Sequence, residues 1–376
     1  MVCYKQIKAY ALQARTITEM SIKPPYFYKD KPVFGLDIGH GTIKVMQLET
    51  VNNKTTIIGY GTAHFDIKAL EEGVIVDPNI IRDAVYDLFH HRLKGVITTR
   101  RVAMALPAYR TFSRAIQLPK LNDTELHEAV QLEVEQYIPL PLDELYLDYD
   151  VTRTTDDGME LFVIAVPKKI VDSYLTLAKL LDVEPILIEP TVVADSRFFS
   201  KDKQSDIPSI IIDFGSLTAN ISIYDKTILT TSTVEAGGLI FTRAISEKLD
   251  INIKEAGDIK TKYGLGKSMV QKEVSEALEP ALQNIVSEIR RILRYYEEHY
   301  GAANHVQQIV TLGGGANMPG LAGYLTNTLK IPVRTLNNPW ASFNFEDLKP
   351  PAQADRLMFV TVAGLGLLEP KEVFVK

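Results

Sequence analysis

The sequence predicts an α/β protein of two lobes, each built around its own sheet. Three observations carry that reading. The chain has 376 residues, too many for one ordinary core. Strand-like and helix-like segments alternate along it. Two segments, LDIGHGTIKVMQL and IDFGSLTANISIY, repeat one strand–turn–strand pattern, with Asp37 falling on Asp213, Gly39 on Gly215 and Thr42 on Thr218. Two copies of one motif imply two lobes of the same fold facing each other across a cleft.

Composition narrows the class. Hydrophobic residues make up 46% and charged residues 23%, which excludes disorder on a large scale. A net charge of −6 speaks against a nucleic-acid partner, because phosphate backbones need a basic field. The single cysteine, Cys3, excludes an intramolecular disulfide and fits a reducing cytosol. The opening, MVCYKQIKAYALQAR, lacks the apolar run of a signal peptide. No stretch approaches about 18 uninterrupted apolar residues. The expectation is a cytoplasmic protein whose association with a membrane is indirect.

Residues 1–31 read as a leader in which Pro24 and Pro25 forbid regular structure; a helix across 4–20 stays open, weakened by Thr16 and Thr18. The first lobe starts over 32–108. There VFGLDIG, TIKVMQLET and KTTIIGYGTAHF read as strands, 79–94 as a helix and VAMALPA as a buried strand. Residues 109–186 form an inserted α+β module: strand, a helix capped by Asn122 or Asp123, two strands across TTDDG, and a second helix. Residues 187–208 connect back to the first lobe. The second lobe holds IPSIIIDFG and NISIYD within 209–237, a mainly helical part over 238–305, and HVQQIVTLGGGANMPGLAGYL within 306–350. Its long helical run is expected to break at Pro280. Residues 351–376 return an apolar helix to the first lobe.

The turns carry the chemistry. Glycine lets a turn aim N–H groups at phosphate oxygens, so Gly39 and Gly41 in one copy and Gly215 in the other are phosphate-binding candidates. The hydroxyls of Thr42, Ser216 and Thr218 add donors. Asp37 and Asp213, each at a strand end, can hold magnesium through water. Lys44 shares a strand face with Thr42 and can reach a phosphate as a point charge, or stand solvated. A third turn, Gly313, Gly314 and Gly315, follows a buried strand and precedes a helix, which suits close approach of a base or phosphate.

These motifs in this order resemble the actin, sugar-kinase and heat-shock chaperone superfamily. IEPTVVADSRF resembles that superfamily's first connecting helix and VTVAGLGLL its second. The resemblance covers Val33 to Leu368. It implies the actin-like two-lobed fold of duplicated ribonuclease-H-like halves, with ATP and Mg2+ as cofactors. The module at 109–186 resembles the one shared by FtsA and PilM. AIQLPKLNDTELHEAVQLEVEQYIPLPLDELYLDYDV, IVSEIRRILRYYEEHYG and LGGGANMPGL resemble the PilM family. FtsA ends in an amphipathic helix that is not read here at LLEPKEVFVK.

Carried over by position, Asp37 and Asp213 organise magnesium, Lys44 touches phosphate, and Gly313, Gly314 and Gly315 back the adenosine. Asp213 or Glu189 positions water if ATP is hydrolysed; Glu189 has the alternative role of a helix N-terminal neighbour. Two positions depart from the pattern. His40 replaces a small hydroxyl residue, and either contacts phosphate when protonated or points to solvent. Lys260 matches a ribose-side lysine, but the partnering glutamate's place is taken by Gly257. Asp258 lies about 100° round the helix and cannot substitute. Relatives of this kind imply an assembly scaffold docking the N-terminal tail of a PilN-like membrane protein, alongside other pilus assembly proteins. Tyr137 and Leu140, beside prolines at the module's edge, are the candidate partner contacts. An FtsA-like filament former, a homo-oligomer and a small-metabolite kinase stay open, although no acidic and aromatic substrate cluster of the kinase kind is visible.

Overall fold

The structure, a computed structural model, describes residues 31–52, 54–156, 158–301, 305–369 and 373. The helix considered over 4–20 lies outside the described residues. The chain divides into two compact units. The first runs up to Ala194 and takes in Asn344–Lys349 and the chain from Thr361; the second holds Asp195–Phe343 and Pro350–Val360.

In the first unit, β1 (Phe34–Ile38), β2 (Thr42–Val51) and β3 (Lys54–His64) form an antiparallel meander. A two-strand hairpin follows, β4 (Leu70–Glu71) and β5 (Val74–Ile75). Helix α1 (Pro78–Asp87) begins where Asp77 accepts the Asn79 N–H and Pro78 supplies a preset first turn. β6 (Lys94–Gly95) pairs with β3 at the sheet edge. β7 (Arg101–Leu106) lies parallel to β1 and is buried along its whole length, as a strand covered on both faces must be.

The inserted module consists of β8 (Phe112–Leu118), α2 (Asp123–Tyr137), β9 (Leu145–Thr154), β10 (Met159–Pro167) and α3 (Lys168–Leu180). Its strands run β8-β10-β9, all antiparallel. Asn122 and Glu125 form a reciprocal capping box at the start of α2. Leu126, Val130 and Val134 recur at one-turn spacing and bury against Ile116, Leu161 and Val163 of the strands. β11 (Glu184–Pro190) then adds in parallel beside β7, so the main sheet reads β11-β7-β1-β2-β3-β6. A C-terminal helix, Val360–Gly366, returns to this unit from Thr361. It packs closely because Gly364 has no side chain: a Cβ there would stand 1.9 Å from the Ala194 carbonyl oxygen.

Helix α4 (Thr191–Phe199) carries the chain into the second unit. There β12 (Ser209–Phe214), β13 (Ala219–Asp225) and β14 (Thr227–Val234) form a second meander. The helices α5 (Gly238–Leu249), α6 (Ile253–Lys262) and α7 (Gln271–Tyr300) follow. β15 (Gln308–Leu312) joins β12 in parallel and β16 (Val333–Thr335) joins β15, with α8 (Leu321–Leu329) between them. The order β14-β13-β12-β15-β16 repeats β3-β2-β1-β7-β11 strand for strand. The duplication read from two short motifs therefore extends through both sheets.

One expectation fails: α7 runs unbroken through Pro280. Proline removes a single N–H bond. Leu278 and Leu282 on either side are fully buried, and Val274, Ile285 and Ile289 continue the same apolar stripe. Burial along that stripe outweighs the lost bond. Trp340 is buried as a packing anchor, its ring 4.9 Å from that of Phe198 and 5.7 Å from that of Phe343.

Candidate functional site

The β1–β2 turn of the first unit brings its candidates together. Asp37 and Lys44 are directly opposed in the ladder, and the ammonium lies 2.6 Å from the carboxylate. Both side chains are largely buried, at 12% exposure for Lys44 and 8% for Asp37. The Gly39 N–H donates to the Thr42 carbonyl at 2.8 Å, and Gly41 takes the left-handed conformation, φ +85°. A Cβ on Gly39 would stand 3.3 Å from the Thr42 hydroxyl and 3.7 Å from the Lys44 ammonium. Glycine thus leaves open a small space bounded by a hydroxyl and a cation. Glu189, next to last in β11, is in register with Ala105, which is itself in register with Asp37. The two carboxylate-bearing positions are therefore two strand spacings apart, about 10 Å. Glu189 is fully buried and lies ahead of α4 rather than within it.

The second unit repeats the turn. The Gly215 N–H donates to the Thr218 carbonyl at 2.9 Å, the counterpart of the Gly39 bond. Asp213 is opposed by Asn220, whose amide lies 3.5 Å from the carboxylate, so an amide stands where the first unit has its lysine. Around this turn, chain segments converge that are far apart in sequence. The Gly238 N–H donates to the Gly215 carbonyl at 2.9 Å and the Leu239 N–H to the Ser216 carbonyl at 2.7 Å. A Cβ on Gly238 would meet the Lys260 ammonium at 3.4 Å, the Gly215 oxygen at 3.7 Å and the Gly315 Cα at 3.9 Å. Gly313 packs so tightly that a Cβ would lie 2.3 Å from Asp213 Oδ1. Gly215, Lys260 and Gly315 thus meet around Gly238, Thr218 and Ser216 belong to the Gly215 turn, and Gly313 packs on Asp213; Gly314 has no neighbour within 4 Å of an added Cβ. Gly237 and Gly238 belong to the same cradle and were missed in the sequence, although a glycine pair opening a helix is the signal that marks them.

Lys260 serves this cradle by bracing it. Its ammonium donates to the Gly238 carbonyl at 2.7 Å and to the Thr242 hydroxyl at 2.8 Å, and burial pushes its pKa down. The place of the absent glutamate is roomy: a Cβ on Gly257 would meet only Thr242 Cγ2, at 3.8 Å. His90 stacks on Tyr86 at 3.8 Å. Among the described residues, no three His, Cys, Asp or Glu side chains form a metal-holding group. That does not bear on magnesium held through water by one carboxylate and phosphate oxygens. The glycine cradle and Asp213 fit such a group.

A second feature of the first unit is a cavity of about 430 Å3 beside the inserted module. Tyr109, Phe112, Leu140, Pro167 and Ile170 give it apolar walls. Glu72 and Arg110 face each other at its rim, 2.8 Å apart. Of the two partner-contact candidates, the structure brings Leu140 to this cavity and leaves Tyr137 out of it. Tyr137 lies under the Arg114 guanidinium, 4.5 Å from its ring centre, and its hydroxyl bonds Glu133. No helix among the described residues is long and apolar enough to cross a membrane.

Comparison with known proteins places the chain. Cell division protein FtsA of Enterococcus faecalis is 24% identical over 348 residues, spanning 80% of this chain and 77% of that protein. FtsA of Streptococcus pneumoniae is also 24% identical, over 346 residues, with 80% and 74% covered. Among solved structures, a PilM–PilN type IV pilus biogenesis complex superposes with a TM-score of 0.77 at 23% identity, covering 90% of this chain and 98% of that one. MreB5 of Spiroplasma citri bound to AMPPNP gives 0.52 at 14% identity, with 89% and 95% covered. The fold is the actin-like one. The family described as type IV pilus assembly protein PilM matches residues 35–369, and the chain belongs to it.

Proposed function

We propose that this chain is a cytoplasmic, nucleotide-binding scaffold of type IV pilus assembly that docks the N-terminal tail of a PilN-like inner-membrane protein. Membership of the PilM family supports the pilus assignment. The observation that carries the docking is the apolar cavity beside the module, with Leu140 in its wall and charged groups at its rim. An extended tail can fill such a cavity with side chains while its backbone bonds to the edges. The test is to titrate a labelled peptide of about twelve residues, the start of the PilN-like protein from the same cell, into the parent and Leu140→Ala. The parent should bind, and Leu140→Ala should weaken binding about ten-fold, the loss expected for a buried aliphatic contact. Tyr137→Ala should change it little. A parent that ignores the peptide would remove the docking assignment.

ATP with magnesium is proposed to bind at the turn of the second unit, with Asp213 on the hydrated ion and Gly313, Gly314 and Gly315 against the adenosine; in the first unit, Asp37 is proposed as a magnesium carboxylate and Lys44 as a phosphate contact. The bound ion would supply charge neutralisation for the phosphates. Gly257→Glu should tighten ATP by about 1 kcal/mol, the worth of one hydrogen bond to the ribose. Calorimetry measures this, with melting followed separately because glutamate is also the better helix former. No gain in affinity would mean that another group already holds the ribose. A filament-forming reading is favoured by the FtsA relatives alone, and ATP-dependent sedimentation would separate it from the scaffold.

A further inference from the structure

In the first unit one short stretch of chain joins the phosphate-type turn to the cavity. At its start the Phe65 N–H donates to the Gly41 carbonyl at 3.2 Å. Ile67 packs on the same turn, its Cγ2 standing 3.0 Å from where a Gly41 Cβ would be. A single helical turn, Ile67–Ala69, follows, capped by Asp66, which accepts the Lys68 N–H at 3.0 Å. The Ala69 carbonyl then accepts from Val76 at 2.9 Å and Asp77 at 3.3 Å, so the β4–β5 hairpin closes back onto this turn.

The hairpin tip enters the cavity wall. Glu72 and Gly73 both take left-handed conformations, φ 50° and 84°, as a tight two-residue hairpin requires. Asparagine or glycine is the usual first residue of such a tip, and glutamate is not. Here its carboxylate pairs with Arg110, while Gly73 fits so closely that a Cβ would be 3.1 Å from both Arg110 Cγ and Pro107 Cγ. Beyond the tip, the Ile75 N–H donates to Ser173 Oγ at 3.1 Å. Ser173 lies on α3, whose Lys168, Lys169 and Ile170 form another wall of the cavity. The strand behind the turn leads to the same place: β7 pairs with Asp37 at Ala105, and its next turn, Ala108–Arg110, brings Tyr109 and Arg110 to the cavity. Tyr174, buried beside Ser173, has its hydroxyl pKa raised first by burial and then by the charges of Asp37 and Tyr109. One buried ring is thus in electrostatic reach of both places.

We propose that the hairpin tip Glu72–Gly73 is a positioning element that couples the cavity to the β1–β2 turn, so that an occupant of one strengthens binding at the other. The proposal rests on the reading of the cavity as the docking site and of the turn as a nucleotide site. An occupant that braces the Glu72–Arg110 pair fixes the hairpin, and the hairpin is bonded through residues 65–69 to the phosphate turn. The second ligand then has less ordering to impose, which makes the coupling positive. Linkage requires that it be reciprocal.

The experiment closes a thermodynamic cycle with the full chain. Magnesium ATP and the PilN-like N-terminal peptide are titrated alone and each in the presence of the other, in the parent and in Glu72→Asn. Asparagine keeps the left-handed turn and removes the carboxylate that reaches Arg110. In the parent, each ligand should tighten the other by the same factor, about five-fold or more. In Glu72→Asn each ligand's affinity alone is that variant's own reference, whatever its value, and the factor between the two ligands should fall close to one. Hydrogen exchange gives the second readout: either ligand alone should slow exchange over residues 65–77 in the parent. A parent factor of one, or a variant that keeps the full factor, overturns the proposal. A parent that binds ATP but no peptide overturns the docking assignment, and the coupling with it.

Discussion

Gly313→Ala is expected to destabilise the chain by about 3 kcal/mol or more and to abolish ATP binding, while Gly314→Ala next to it is tolerated. The contrast is set by the backbone. Gly313 sits at φ 82°, ψ 165°, a region that only glycine occupies without strain of about 1–3 kcal/mol. A Cβ there would also meet Asp213 Oδ1 at 2.3 Å and the Phe214 carbonyl at 2.5 Å. The Phe214 carbonyl is backbone and cannot swing aside, so the strand end must shift as well as the Asp213 side chain, which adds about 1–3 kcal/mol of overpacking. The side chain pushed aside is the proposed magnesium carboxylate, which is why binding should fail together with stability. Gly314 has no atom within 4 Å of an added Cβ and no positive φ. Urea unfolding and calorimetry read the two effects. Equal midpoints for Gly313→Ala and Gly314→Ala would refute the account of this turn.

Both aspartate turns were legible because their chemistry restricts composition so strongly. A tight bend that presents N–H groups needs glycine, and a hydrated cation needs a carboxylate at the strand end. Strand alternation also placed Lys44 on the face of Thr42, and both side chains border the space beside Gly39. Other contacts depend on segments meeting in space. Gly238 reaches Gly215, Glu72 reaches Arg110 and Asn344 pairs with Thr55 and Ile57 of β3; a glycine pair can mark a helix start, but nothing local says which distant segment each of these residues meets. The proline-rich edge of the module pointed to Tyr137 and Leu140 alike, because proline signals an irregular edge without saying which neighbour faces inward. Pro280 misled for the opposite reason. A local rule predicted a break, and the buried stripe around Leu278 and Leu282 overrode it.

Lys44→Ala is expected to weaken ATP about 100-fold while adenosine binding barely changes, and to destabilise the chain by about 3 kcal/mol. The two effects have separate causes. The ammonium carries three donors, so it can keep Asp37 at 2.6 Å and still offer bonds to a phosphate. Removing it takes away a charge-assisted contact that the phosphates feel and the nucleoside does not. It also strands Asp37, whose carboxylate is 8% exposed, without its opposing cation. Breaking a buried pair from one side is far more costly than removing both charges. Asp37→Asn combined with Lys44→Ala should therefore regain most of the lost stability, because no uncompensated charge is left in the turn. The double variant should still bind ATP poorly, since neither the phosphate contact nor the magnesium carboxylate returns. Magnesium alone should raise the melting temperature of Lys44→Ala more than that of the parent, by neutralising the exposed demand of Asp37 for a cation. Equal losses of ATP and adenosine in Lys44→Ala would show that this lysine braces the strand pair and never meets a phosphate.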